Sequence, residues 1–133
     1  LDHEFISSVD LAEEGNQDIN TIFKTLATES KEGDIYILVI NGADEIDFKK
    51  ASRAIGVKSL SMLALKDLKK TVGYERGATT PLALKKDYPV FIDQKAKDMD
   101  LIKVSAGKVG HSIKIKPDDL IKATNGTFAD LIK

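Results

Sequence analysis

No cysteine occurs in this 133-residue chain. That excludes disulfides, thiolate nucleophiles and most structural zinc sites together, and it fits a reducing compartment. Only two histidines are present, His3 and His111. They have no ligand spacing to each other or to carboxylates, so they read as surface side chains and no metal or other cofactor is expected. No apolar run approaches about 18 residues, so no membrane-spanning segment is read. Charge of one sign is also lacking. With 20 Lys and Arg against 21 Asp and Glu, the net charge is −1. No overall cationic field draws in nucleic acid, and any such contact must be local. There is no G-x-S-x-G elbow. Ser112 follows His111 directly, and strand neighbours point to opposite faces, which argues against a serine hydrolase.

What is present has an ordinary globular balance, 42% hydrophobic and 31% charged, and a length suited to one domain over residues 1–133. The chain opens on Leu1 in a polar stretch without a signal-peptide pattern, and is read as a cytoplasmic protein whose native N-terminus is cut, absent or disordered. "IYILVI", Ile35 to Ile40, is a buried strand. Before it, Ile19, Ile22, Phe23 and Leu26 have helical spacing, so one helix could run through Lys24. The favoured alternative is a strand from Phe23 to Glu29, turned at Gly33-Asp34 into a hairpin with "IYILVI". Alternation then sets Lys24 and Leu26 opposite Phe23 and Thr25.

Asp47 is a good N-cap for "FKKASRAI" and Gly56 a good stop. "VKSL" is a strand candidate, and "LALKDLKKTV" a helix ended by Gly73. "PVFID" is a buried strand. "LIKVSAGKVGHSIKIK" is two alternating segments about a glycine turn, a hairpin. Pro117 fits the first position of the helix "PDDLIKA". Asn125-Gly126 is a turn, and Thr127 is read as the cap of a last short helix through Leu131. Adjacent strands read mostly as antiparallel, which argues a mixed-sheet α+β domain rather than a doubly wound parallel one.

Two glycine loops could carry chemistry. Gly73 and Gly77 flank Tyr74-Glu75-Arg76 but lack the Gly-Lys-Ser/Thr of a phosphate loop. Gly107 and Gly110 match a KH-type G-x-x-G, yet strands rather than helices flank them. The plain reading is two turns. The alternative is that their backbone amides clamp a carbonyl or carboxylate. Lys24 is either a snorkelling surface lysine or a charge facing a pocket. With no strong nucleophile visible, any reaction should be an easy one driven by positioning, such as hydrolysis of an activated ester.

"FKTL" at Phe23–Leu26, "GYERGATTP" at Gly73–Pro81, "PVFID", "VSAGKVG" at Val104–Gly110 and the final "KPDDLIKATNGTFADL" occur in that order. Together they resemble the YbaK family of stand-alone aminoacyl-tRNA deacylases, related to the editing domain of bacterial prolyl-tRNA synthetases, from about Ile19 to Leu131. The resemblance implies a largely antiparallel mixed sheet curled into a barrel-like core with flanking helices. It implies metal-free trans-editing of mischarged tRNA, Cys-tRNA(Pro) in the YbaK branch, in which the substrate thiol attacks its own ester. The partners implied are the acceptor end of an aminoacylated tRNA and prolyl-tRNA synthetase, with no membrane. Lys24 falls on the functional lysine and Gly77 on the glycine facing the aminoacyl carbonyl. Thr25, Tyr74, Thr80, Ser105, Gly107 and Gly110 would shape substrate binding. The family loop usually reads Gly-Gly-x-Ser-Pro; here Ala78 adds a methyl and Thr80 keeps a hydroxyl. The N-terminal helix and strand expected before "FKTL" are largely missing. A non-catalytic module of the same fold, holding an acceptor end or a protein, is the competing expectation.

Overall fold

Two apolar segments joined by a tight turn build the centre of the sheet. In the computed structural model, which describes residues 21–64, 67, 81, 88–108 and 111–133, β1 (Phe23–Ser30) and β2 (Ile35–Asn41) pair antiparallel, with Leu26 opposite Leu38. Gly33 takes a φ of 93°, a left-handed value open to glycine. The hairpin reading is therefore correct, and Lys24 lies on a strand.

Helix α1 (Phe48–Ile55) begins where expected. The Asp47 carboxylate accepts the backbone N–H groups of Lys49 and Lys50, both at 3.1 Å. Those bonds, the Lys50 N–H first, hold its pKa below the usual aspartate value despite some desolvation. Gly56, φ 93°, ends the helix. Next, β3 (Leu60–Met62) pairs antiparallel with the end of β1. The expected helix "LALKDLKKTV" and the glycine loop that follows it lie outside the described residues, apart from Leu63, Ala64, Asp67 and Pro81.

β4 (Val90–Asp93) joins β2 in parallel, and a 3-10 turn follows over Gln94–Asp98. β5 (Ile102–Lys108) and β6 (His111–Ile115) form the expected hairpin. Pro117 opens α2 (Pro117–Thr124). The segment after Asn125 departs from expectation. Thr127 caps no helix; Thr127–Ala129 is a strand, β7, parallel to β4. The open edge of β4 offers backbone partners that so short a helix could not match, so tertiary pairing overrides the local cap signal.

The domain is thus α+β, with a five-stranded sheet ordered β3-β1-β2-β4-β7 and a two-stranded β5–β6 ribbon. The sheet is not closed into a barrel as expected. Its edges, β3 and β7, hold three residues each and pair with nothing further among the described residues. It is also less antiparallel than expected, because β4 and β7 run parallel to β2. β2 is buried on both faces. Ile37 and Val39 enter one core with Phe23, Ala27, Ile92, Ile102, Val104 and Leu120. Leu38 and Ile40 enter a second with Ala51 and Leu131, covered by α1. Burial on both sides is why "IYILVI" reads as a continuous apolar run. No helix of the described residues is long and apolar enough to cross a membrane.

Candidate active site

The ribbon meets the sheet at the start of β1. Ile22 forms a parallel bridge with Lys103, and β5 lies against β1. Both strands turn their apolar rows, Phe23 with Ala27 and Ile102 with Val104, into the same core. By alternation their other rows, Lys24 on β1 and Lys103 with Ser105 on β5, lie on the opposite side of that junction.

Lys24 is half-buried and donates from Nζ to the Gly42 carbonyl at 3.2 Å. That carbonyl sits on a turn built by Asn41, whose Oδ1 accepts the Ala43 N–H at 3.0 Å. Gly42 in turn donates its N–H to Ile22 at 2.8 Å. An ammonium has three donors, so the Gly42 bond fixes the chain while leaving two protons for a ligand. None of the described carboxylates pairs with Lys24.

Thr25 points to the other face of β1. Its hydroxyl is buried with no hydrogen-bond partner. Its backbone is placed differently. Two residues on, the Ala27 carbonyl accepts the Leu63 N–H at 3.0 Å on the outer edge of β1. The two-residue repeat turns the Thr25 N–H and C=O to that same edge. There, between the Leu63 bond and the Lys103 bridge, no strand among the described residues pairs with β1.

Ser105 is buried and lies opposite Ser112 on β6. The Ser112 hydroxyl, like that of Thr25, is buried and unpartnered. Such orphaned groups are uncommon in folded proteins and mark places where a ligand or water completes the bonding. Gly107 is on β5, while Tyr74, Gly77, Thr80 and Gly110 lie outside the described residues. Sequence reasoning missed Ser112 as a neighbour of Ser105, and it missed the lysine pair Lys103 and Lys114. The register of the β5–β6 hairpin, read from its alternation, was the signal that could have paired them.

Residues 4–123 match the model of the aminoacyl-tRNA editing domain. The chain belongs to this family. Within it, 128 residues are 39% identical to EbsC of Enterococcus faecalis, a protein named as a candidate Cys-tRNA(Pro)/Cys-tRNA(Cys) deacylase, covering 96% of this chain and 78% of EbsC. A stretch of 101 residues is 27% identical to the proline–tRNA ligase of Shouchella clausii, 75% of this chain but 18% of that ligase. Among solved structures, one described as a candidate trans-editing enzyme for prolyl-tRNA synthetase superposes with a TM-score of 0.86 at 20% identity, over 98% of this chain and 85% of the other. The fold is that of the editing domains, and the chain is an aminoacyl-tRNA deacylase by family.

Proposed function

We propose that this editing domain hydrolyses Cys-tRNA(Pro) in trans, in the cytoplasm, after prolyl-tRNA synthetase has charged its tRNA with the wrong amino acid. The observation that carries the site is the Lys24 ammonium, fixed at 3.2 Å on the Gly42 carbonyl with donors to spare, beside a stretch of strand edge that no described strand pairs. Lys24 would hold the aminoacyl ester and the negative charge that develops on its carbonyl oxygen. The Gly77 amide would face the same carbonyl. The Thr25 edge amide, Tyr74, Thr80, the Ser105 hydroxyl and the Gly107–Gly110 turn would position the substrate.

The nucleophile is the substrate's own thiol. Its sulfur attacks the ester carbon, the bond from that carbon to the ribose oxygen breaks, and the thiol proton ends on the departing ribose hydroxyl. Water then opens the cyclic thioester to free cysteine. No protein nucleophile or metal is used. The protein supplies orientation and a fixed positive charge, effects worth many orders of magnitude when the geometry is held.

Single-turnover deacylation of Cys-tRNA(Pro) and Ala-tRNA(Pro) tests this reading. Rapid loss of the cysteinyl ester by wild type, and loss of that activity in Lys24→Ala, are the expected results. Preference for the alanyl ester would overturn the thiol mechanism. Binding of tRNA without hydrolysis of either ester would leave a non-catalytic module.

A further inference from the structure

The β5–β6 ribbon differs in charge from the chain that carries it. Residues 101–116 hold four lysines and one histidine and no carboxylate, in a protein of net charge −1. Register concentrates this charge, because Lys103 stands directly opposite Lys114. Like charges at opposed strand positions destabilise a ladder. Lys103 is moreover only 6% exposed. None of the described carboxylates forms an ion pair with either lysine. Burial, with the Lys114 charge adding to it, pushes the Lys103 pKa below the ordinary lysine value. A lysine whose side chain is largely buried, set opposite a second lysine, is an arrangement that costs the fold, and an anion seated on the pair relieves it.

There is room for one. Both lysines line an open groove of about 470 Å³, completed by Thr21, Met99, Asp100, Leu101 and Ile102. Asp100 is the single negative group in that lining and is exposed, so its charge is well solvated. The groove adjoins the catalytic side of the junction without being part of it. Ser105 lies two residues along the same row as Lys103, roughly 6.6 Å by the strand rise. Thr21 lies three residues before Lys24 and Ile22 bridges to Lys103.

We propose that Lys103 and Lys114 form a subsite for a phosphodiester of the RNA strand whose 3′ end reaches Lys24 and Ser105, an assignment that rests on the deacylase reading above. Lysine ammonium groups suit a phosphate as point charges. A protein of near-zero net charge must hold RNA through such local contacts rather than through its overall field. The pair also sets polarity: the reacting ester lies towards Ser105 and the strand leaves past Thr21.

The test is fluorescence anisotropy of a labelled, uncharged acceptor-stem minihelix with a single-stranded 3′ tail, titrated at several salt concentrations. Wild type, Lys103→Met, Lys103→Arg and Lys114→Met are compared. Each methionine variant should bind several-fold more weakly and flatten the dependence of log K on log salt by about 0.7 per lysine. Lys103→Arg should keep the wild-type slope. Lys114 is exposed, so its variant separates charge loss from misfolding. Unchanged affinity and slope in folded Lys103→Met and Lys114→Met would overturn the proposal. Inorganic phosphate competing saturably at constant ionic strength would overturn it in favour of a small-anion site. The same wild-type preparation is assayed on Cys-tRNA(Pro). Lysine-dependent minihelix binding without ester hydrolysis would sink the deacylase reading and leave the subsite standing. Hydrolysis with lysine-independent binding would sink the subsite alone.

Discussion

The five-stranded sheet and the β5–β6 ribbon are built on the same two-residue alternation but put it to different use. In the sheet, both rows of β2 are apolar and both are buried, Ile37 and Val39 on one side and Leu38 and Ile40 on the other. Beyond the start of β1, polar side chains of the sheet are bonded within the fold. Thr28 donates to the Tyr36 carbonyl at 2.8 Å, and Asp93 accepts from the Leu131 and Lys95 N–H groups at 3.0 and 3.1 Å. In the ribbon, one row is core and the other holds two opposed lysines and two opposed serines, one with an orphaned hydroxyl. The sheet is optimised as a fold. The ribbon and the start of β1 keep the Ser112 and Thr25 hydroxyls buried without a partner in the fold. The proposed site thus falls where stability has been left incomplete.

Core truncation should separate the two regions most sharply. Ile92 is fully buried on β4, between β2 and β7. Ile92→Ala should cost about 2–5 kcal/mol, read by denaturant unfolding. Ile113 on β6 is 37% exposed, and Ile113→Ala should cost under about 1 kcal/mol. Equal losses at the two positions would mean that the ribbon is as much core as the sheet.

The second contrast is between two lysines. Lys24→Ala should lower the single-turnover deacylation rate by about 10²–10³-fold, the range for removing one preorganised donor, with little change in the unfolding midpoint. Lys50 pairs with Asp130 at 3.0 Å on the surface. Lys50→Ala should leave the rate unchanged and alter stability by under about 1 kcal/mol. A rate loss in both would point to general electrostatics rather than to a site at Lys24.

Between these and the ribbon lies Gly126. A Cβ there would come within 2.8 Å of the Thr124 hydroxyl and 3.1 Å of the Val90 carbonyl. The hydroxyl can rotate away, but the carbonyl belongs to β4 and cannot. Gly126→Ala should therefore destabilise by about 1–3 kcal/mol through the turn that brings β7 to the sheet, again by denaturant unfolding. An unchanged midpoint would mean that the α2–β7 turn can shift freely against β4.

Local signals carried much of this fold. The Gly33 turn, the Asp47 cap, the Gly56 stop, Pro117 at the helix start and the two hairpins are decided by residues close together in sequence, and each was legible there. Parallel pairing was not. β4 reaches β2 across some fifty residues, and nothing in "PVFID" says which edge it joins. The same gap explains β7. "NGTFADL" has a turn and a cap residue, and only the presence of β4's edge makes it a strand. Lys24 stood out in the sequence by its neighbours, whereas its acceptor at Gly42 is 18 residues away and required the hairpin. The Lys103–Lys114 pair was hidden for a related reason. Each is an unremarkable lysine on an alternating strand until the register sets them face to face.

That pair gives the smallest effect, and one of unusual sign. Removing a buried lysine normally risks a cavity, but methionine keeps the length and loses the charge. Because Lys103 opposes Lys114 and is desolvated, Lys103→Met should stabilise the free protein by roughly 0.2–1 kcal/mol while weakening RNA binding. The pH dependence follows from the direction of the shift. The unfolded chain holds the Lys103 proton at the ordinary lysine pKa, and the folded chain holds it less tightly. Below the folded-state pKa the full cost of the buried charge is present. As pH rises from there towards the ordinary lysine value, the folded state sheds the proton first and the cost disappears. The advantage of Lys103→Met over wild type should therefore be largest at neutral pH and shrink in the alkaline range, as measured by denaturant midpoints across pH. An advantage that stays flat with pH would mean that the methionine acts by packing alone. The charge on Lys103 would then exact no cost from the fold, and the contrast between a completed sheet and an incomplete ribbon would lose its electrostatic half.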